Sequence, residues 1–164
     1  MDLNLIKSFA IDSRRELIKT IDYRMKFVLK EESLERRENP IAVKELEKRI
    51  FSSSKEIVIE EVAYTWFNRF TALQYMDIND VNDIKSILIL DGNTRPEILS
   101  NAIRGEFDNN FISKNTQIIV SSLLEGRSSS NDPEKDSYRL LLLSVCNKLH
   151  SKMPFLFERI EDYT

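Results

Sequence analysis

Glycine and proline are scarce in this chain, three and four among 164 residues. An all-β fold spends both on its many tight turns, so that class is disfavoured from the outset. One cysteine, Cys146, excludes an internal disulfide framework and a multi-cysteine zinc site. Its place in the apolar run Leu140–Cys146 reads as a buried, inert thiol. One histidine, His150, leaves no histidine cluster and no HExxH metal motif. The net charge of −3 and a sequence pI near 5.4 rule out a global cationic field for nucleic acid. Apolar runs such as Leu140–Leu143 are too short to span a bilayer, and no secretory leader follows Met1. A cytoplasmic location without membrane association is the expectation.

What the chain does contain is helical periodicity, and a mainly α multi-helix bundle is expected. Leu3, Ile6, Ala10, Leu17, Ile21, Met25 and Val28 recur at spacings of three, four and seven, predicting a helix from Leu3 to Lys30 with this stripe inward. The charged segment Glu31–Asn39 reads as a solvated connection or a fraying helix end, and Pro40–Phe51 as a second helix. Ser53-Ser54-Lys55-Glu56 has capping-box spacing and opens a long helix to about Asp77, whose wide apolar face, with two aromatic residues beside Trp66, makes it the spine of the core. The β-branched run Ile84–Leu90, ending at Asp91-Gly92, reads as a short strand or a helix end, so at most one short β element is expected, near 84–90. Thr94-Arg95-Pro96-Glu97 starts a short helix through Ile103, and Thr116–Glu125 a further one closed by Gly126. The serine-rich stretch 127–132 reads as a mobile loop, and Asp132-Pro133 caps a last helix ended by Pro154. The whole of 1–164 is expected to form one domain.

Searches for chemistry return little. Gly92, Gly105 and Gly126 are isolated, so no phosphate-cradling loop and no S-adenosylmethionine-type glycine loop is visible, and GxSxG is absent. Nothing local supports a Ser-His-Asp arrangement around His150, whose place near a helix C-terminus suits the dipole. Read as a calcium loop, Asp77–Leu88 puts Val81 at position five, Asn82 where glycine is required and Leu88 at the closing position, so a solvated capping loop is the better reading. No catalytic residue and no metal ligand is assigned, and the segment itself is expected to be non-catalytic.

Two surfaces remain. Between Asp12 and Lys30 the first helix carries six cations against three carboxylates, and Arg14, Arg15, Lys19 and Lys26 are DNA-backbone candidates. An ordinary solvated face with internal ion pairs, such as Asp22 with Lys26, is the competing reading. The apolar tail at Phe155 and Phe157 is expected to pack on the body or on a neighbour, which makes it a candidate interface.

Two stretches carry a resemblance. Residues Lys55 to Phe70, with the run Val62-Ala63-Tyr64-Thr65-Trp66-Phe67-Asn68-Arg69, and then Leu73 and Tyr75-Met76, resemble the start of PglX-type adenine-specific DNA methyltransferases of bacterial BREX phage-exclusion systems. Tyr138–Asn147 and Met153–Ile160 resemble the later N-terminal region of that family, with Asp91-Gly92 and Pro96–Leu99 in order between them. The aromatic and polar residues of the first run are not dictated by helix periodicity, which makes it specific. The resemblance implies an N-terminal helical piece of a longer enzyme that uses S-adenosylmethionine, with no cofactor held in this segment. Its implied partners are the remainder of the methyltransferase, double-stranded DNA and other phage-defence proteins. The family's Asn-Pro-Pro-Tyr-type motif has no counterpart here, since no two prolines are adjacent, so no catalytic residue carries over.

Overall fold

A computed structural model describes residues 3–157, and the side chain of Leu3 and residues 158–160 of the resemblance lie outside what it describes. The described residues form seven helices and no strand. They are α1 (Leu3–Val28), α2 (Leu34–Glu38), α3 (Pro40–Ser52), α4 (Lys55–Ile78), α5 (Glu97–Ile103), α6 (Lys114–Leu124) and α7 (Pro133–His150). The mainly α expectation holds. The helices group into two compact units, residues 3–68 and 69–157 of the described chain.

In the first unit, Met25 of α1 meets Val58 and Ile59 of α4, with Ile18, Ile21, Leu46, Ile50 and Val62 packed around them. Along the stripe expected on α1, Met25 is buried, Ala10, Leu17, Ile21 and Val28 are half-buried, and Ile6 is exposed. Leu5 and Phe9, outside that stripe, are 70% and 67% exposed. The Glu31–Asn39 segment is more ordered than its charge implied. Ser33 accepts from the Arg36 amide at 3.2 Å, capping α2, and donates to the Val28 carbonyl at 2.8 Å. The Arg36 guanidinium donates to the carbonyls of Leu29 and Lys30 beyond the end of α1 and pairs with Glu47 of α3 at 2.5 Å. One cation therefore satisfies carbonyls left open by the helix end and ties α1 to α3.

The start of α4 lies one residue beyond the expected cap. Ser54 accepts from Ile57, while Ser53 donates to Arg49 and closes α3. Glu56 thus falls short of capping-box spacing. The inward arc of α4 in the second unit is Arg69, Leu73, Met76 and Asp77, all buried. Trp66, Phe67 and Phe70 are half-buried, and the rings flank an arc that repeats at four, three and one.

The core of the second unit is larger. α6 packs on α7, and α5 packs on both. Ile98, Leu99, Ala102, Ile112, Val120, Leu141, Val145, Cys146 and Leu149 are buried there. Pro96 occupies the N-cap of α5 rather than its first helical position. Ser113 caps α6 by accepting from Thr116. At the other end, Gly126 has φ +72°, its amide reaches Leu123 and the Arg127 amide reaches Ser122, the paired bonds of a Schellman close. In the serine-rich stretch, Ser128 bonds Ser122, Ser130 donates to Asp136, and Asp132 accepts from the Lys135 amide to cap α7. α7 ends at His150, four residues before Pro154, with the carbonyl of Leu149 accepting from Lys152 and Met153.

Candidate functional site

Asp77 organises the irregular segment that joins α4 to α5. The β element entertained for 84–90 is absent, and the amides that a strand would have paired point instead at one carboxylate. Oδ1 accepts from the Ser86 amide at 3.1 Å and from its hydroxyl at 3.2 Å. Oδ2 accepts from the amides of Ile87 and Leu88 at 2.7 and 2.9 Å. Asp77 is 1% exposed, so the reading of this residue as part of a solvated loop is corrected. Tyr138 of α7 donates to the Ser86 carbonyl at 3.1 Å, which anchors the same turn to the last helix. Burial, with the Asp77 charge nearby, pushes the Tyr138 phenol up to about 12. Just before the segment, Asp80 takes φ 53° as the Val81 amide closes α4 onto Met76. Just after it, Glu97 accepts from the Lys85 amide, so the loop is held at both ends.

This cluster anchors a loop; it is not a reaction centre. Each Asp77 oxygen is already occupied by two donors from the chain, which leaves no free base aimed at a cleft. Cys146, the buried thiol expected from the sequence, is pushed up to about 11 by desolvation, so it is protonated and poorly nucleophilic near neutrality. His150 Nδ1 lies 2.6 Å from the Phe157 carbonyl, tying α7 to the tail. Among the described residues, no group of three or more His, Cys, Asp or Glu side chains is placed to hold a metal, and no helix is long and apolar enough to cross a membrane.

The four cation candidates on α1 all lie on the surface, and each has a carboxylate within ion-pair range. Arg14 approaches Glu60 of α4 at 3.9 Å, and Arg15 pairs with Asp12 at 3.2 Å. Lys19 pairs with Glu16 at 2.7 Å, and Lys26 with Asp22 at 2.6 Å. Asp22 also receives Lys55 of α4 at 2.7 Å, and hydrogen bonds from Lys26 and Lys55 hold its carboxyl below the ordinary range. The face is therefore an alternation of charges at this geometry. In the tail, Phe155 is 85% exposed, whereas Phe157 is wholly buried and offers no surface.

The pair Arg95–Glu134 was not found from sequence. Its two residues lie 39 positions apart yet form two parallel bonds of 2.6 and 2.7 Å, joining the approach to α5 with the first turn of α7. Both residues sit beside helix-start signals that were legible, but a long-range pairing has no periodicity to betray it.

These features define a class: a helical module whose polar groups are largely engaged in capping, ion pairing and loop anchoring. Comparison with known proteins narrows it. The chain is similar to the adenine-specific methyltransferase PglX of Lacticaseibacillus casei (strain Zhang), 28% identical over 197 aligned positions that take in 99% of this chain and 16% of that protein. It is also similar to the adenine-specific methyltransferase BrxX of Escherichia coli O9:H4 (strain HS), 33% identical over 119 positions covering 71% of this chain and 9% of that protein. The chain thus spans less than a fifth of the length of either relative. No family model matches it, and no solved structure does.

Proposed function

We propose that this chain is the N-terminal helical module of an adenine-specific DNA methyltransferase of bacterial phage exclusion, docking on the catalytic portion and not itself transferring methyl groups. In the intact cytoplasmic enzyme, S-adenosylmethionine and the flipped adenine would meet in a pocket elsewhere in the protein. The observation that carries this reading is the likeness to PglX, which runs through 99% of this chain but only 16% of the relative. In it, Arg14, Arg15, Lys19 and Lys26 meet the DNA backbone by exchanging their carboxylate partners for phosphates.

A second reading, an assembly module that binds other phage-defence proteins without touching DNA, is favoured by two specific observations. The α1 cations already have partners, and the uncovered apolar end of α1, with Phe155 in the other unit, offers contact surface.

Duplex binding by the purified chain separates the two. Backbone contact predicts affinity that falls steeply with salt and weakens in Arg15→Ala/Lys19→Ala. Undetectable or salt-insensitive binding sinks it and leaves assembly. Saturable binding of labelled S-adenosylmethionine to this chain would overturn the non-catalytic reading altogether.

A further inference from the structure

Helix α1 carries a second apolar stripe, on the side away from its packed residues. Ile18, Ile21 and Met25 pack with residues of α3 and α4. Leu5, Phe9, Tyr23 and Phe27 are instead 70%, 67%, 65% and 38% exposed. Leu5 and Tyr23 are separated by the same interval as Phe9 and Phe27, about five helical turns, so all four lie within about 40° of one another and about opposite Met25. The stripe is a palindrome about Glu16: Leu5 and Phe9 precede it by 11 and 7 residues, and Tyr23 and Phe27 follow it by 7 and 11. We propose that this face binds a second copy of the chain, α1 against α1 and antiparallel, with the two-fold axis at Glu16.

The symmetry of the stripe selects that occupant. In an antiparallel two-fold pair each residue meets its mirror position on the other copy, so the apolar positions must read the same in both directions. Any other partner needs no such palindrome. Here Leu5 meets the second copy's Phe27 and Phe9 meets its Tyr23, and each contact occurs twice over about 33 Å of helix. The Tyr23 and Phe27 rings already touch within one copy, with centroids 4.8 Å apart, so less side-chain freedom is lost on pairing. The polar centre is compatible as well. Each Glu16 holds Lys19 at 2.7 Å. The two-fold sets each Lys19 opposite the second copy's Ser13, about one turn from its Glu16, so two ammonium groups bracket the two facing carboxylates. A parallel pair would set Asp12 on Asp12 and Lys19 on Lys19, with the helix dipoles aligned. The proposal rests on α1 alone and stands apart from the parent-enzyme reading.

Sedimentation equilibrium of the full chain from about 10 μM to about 500 μM should show a monomer–dimer equilibrium. Phe9→Gln/Tyr23→Gln should weaken it about a hundredfold. Both side chains are largely exposed and glutamine is a good helix former, so the monomer survives the change, which an unaltered circular dichroism spectrum checks. Cysteine cross-linking reads the geometry independently, since Cys146 is buried. Under mild oxidation a mixture of Phe9→Cys and Tyr23→Cys chains should form a disulfide-linked dimer. Neither variant alone should, because the two equivalent positions lie about 21 Å apart along the antiparallel pair. A monomer at every concentration, undiminished association of the glutamine variant, or cross-linking of Phe9→Cys alone as fast as the mixture would each overturn the proposal.

Discussion

Replacing Asp77 tests the account of the second unit most directly. Asp77→Ala removes a carboxylate that accepts four hydrogen bonds and leaves the amides of Ser86, Ile87 and Leu88 without their acceptor. An unsatisfied buried donor costs about 1–3 kcal/mol. The loop can relax and hydrate part of this, while Ser86 is itself 1% exposed, so the expected loss is about 3–4 kcal/mol. That is a large share of the stability of a small domain, about 5–15 kcal/mol. Asp77→Asn is more telling. Asparagine offers one acceptor oxygen, and its amide must replace one carboxylate oxygen. At Oδ2 it would face two backbone donors that cannot turn, so it should take the Oδ1 side, where the Ser86 hydroxyl can rotate to accept. A loss of about 2 kcal/mol follows, with the Ile87 and Leu88 amides still bonded. Urea unfolding followed by circular dichroism gives the stability. Hydrogen exchange gives the location, with Ile87 and Leu88 unprotected in the alanine variant and protected in the asparagine variant. A cost below about 1 kcal/mol for Asp77→Ala, or retained protection at all three amides, would refute the carboxylate's role as the loop's anchor.

Tyr138 and Cys146 have raised pKa values, to about 12 and about 11 from ordinary values of 10.0 and 9.0. The unfolded chain therefore loses these protons first, so stability should hold below pH 9 and fall through the alkaline range up to pH 12; Tyr138→Phe should remove the upper part of that fall in alkaline melts. Cys146 should resist iodoacetamide in the native chain near neutrality and react once urea unfolds it; rapid native labelling would contradict its burial. Gly126→Ala should cost about 1–2 kcal/mol in thermal unfolding. The φ of +72° is the reason, because an added Cβ would meet nothing within 4 Å.

How much of this was visible in the sequence depends on the distance over which each feature is decided. Helix existence is set by apolar spacing within a few turns, so α1, α3, α4, α6 and α7 fall close to the expected segments. Capping is decided by a choice among adjacent residues, and Ser53 and Ser54 are chemically alike; the true cap was resolved only by which hydroxyl the end of α3 had taken. The 84–90 run left strand and helix end open because β-branched residues signal a need for backbone partners without naming the partner. Asp77, some ten residues upstream, met that need in place of a neighbouring strand. Whether the face of α1 is covered is a tertiary matter, and Ile6 and Met25 share the expected stripe with opposite fates.

The electrostatics of α1 decide between the two functional readings, and the magnitudes can be set against each other. Arg15 with Asp12, Lys19 with Glu16 and Lys26 with Asp22 are pairs between neighbouring turns of one helix, with the cations more than half exposed. Such pairs are held weakly and are screened by salt. DNA phosphates can therefore displace the carboxylates, but the carboxylates stay where they are and repel the incoming backbone. If all four cations engage phosphates, the logarithm of affinity should fall with the logarithm of salt with a slope of about −3.5, and Arg15→Ala/Lys19→Ala should bring it to about −2. If the carboxylates prevail, the slope is near zero and neutralising Asp12 and Glu16 should raise duplex affinity instead. A slope that is steep yet unchanged in the double variant would show DNA bound by some other face, and would remove α1 from the interface.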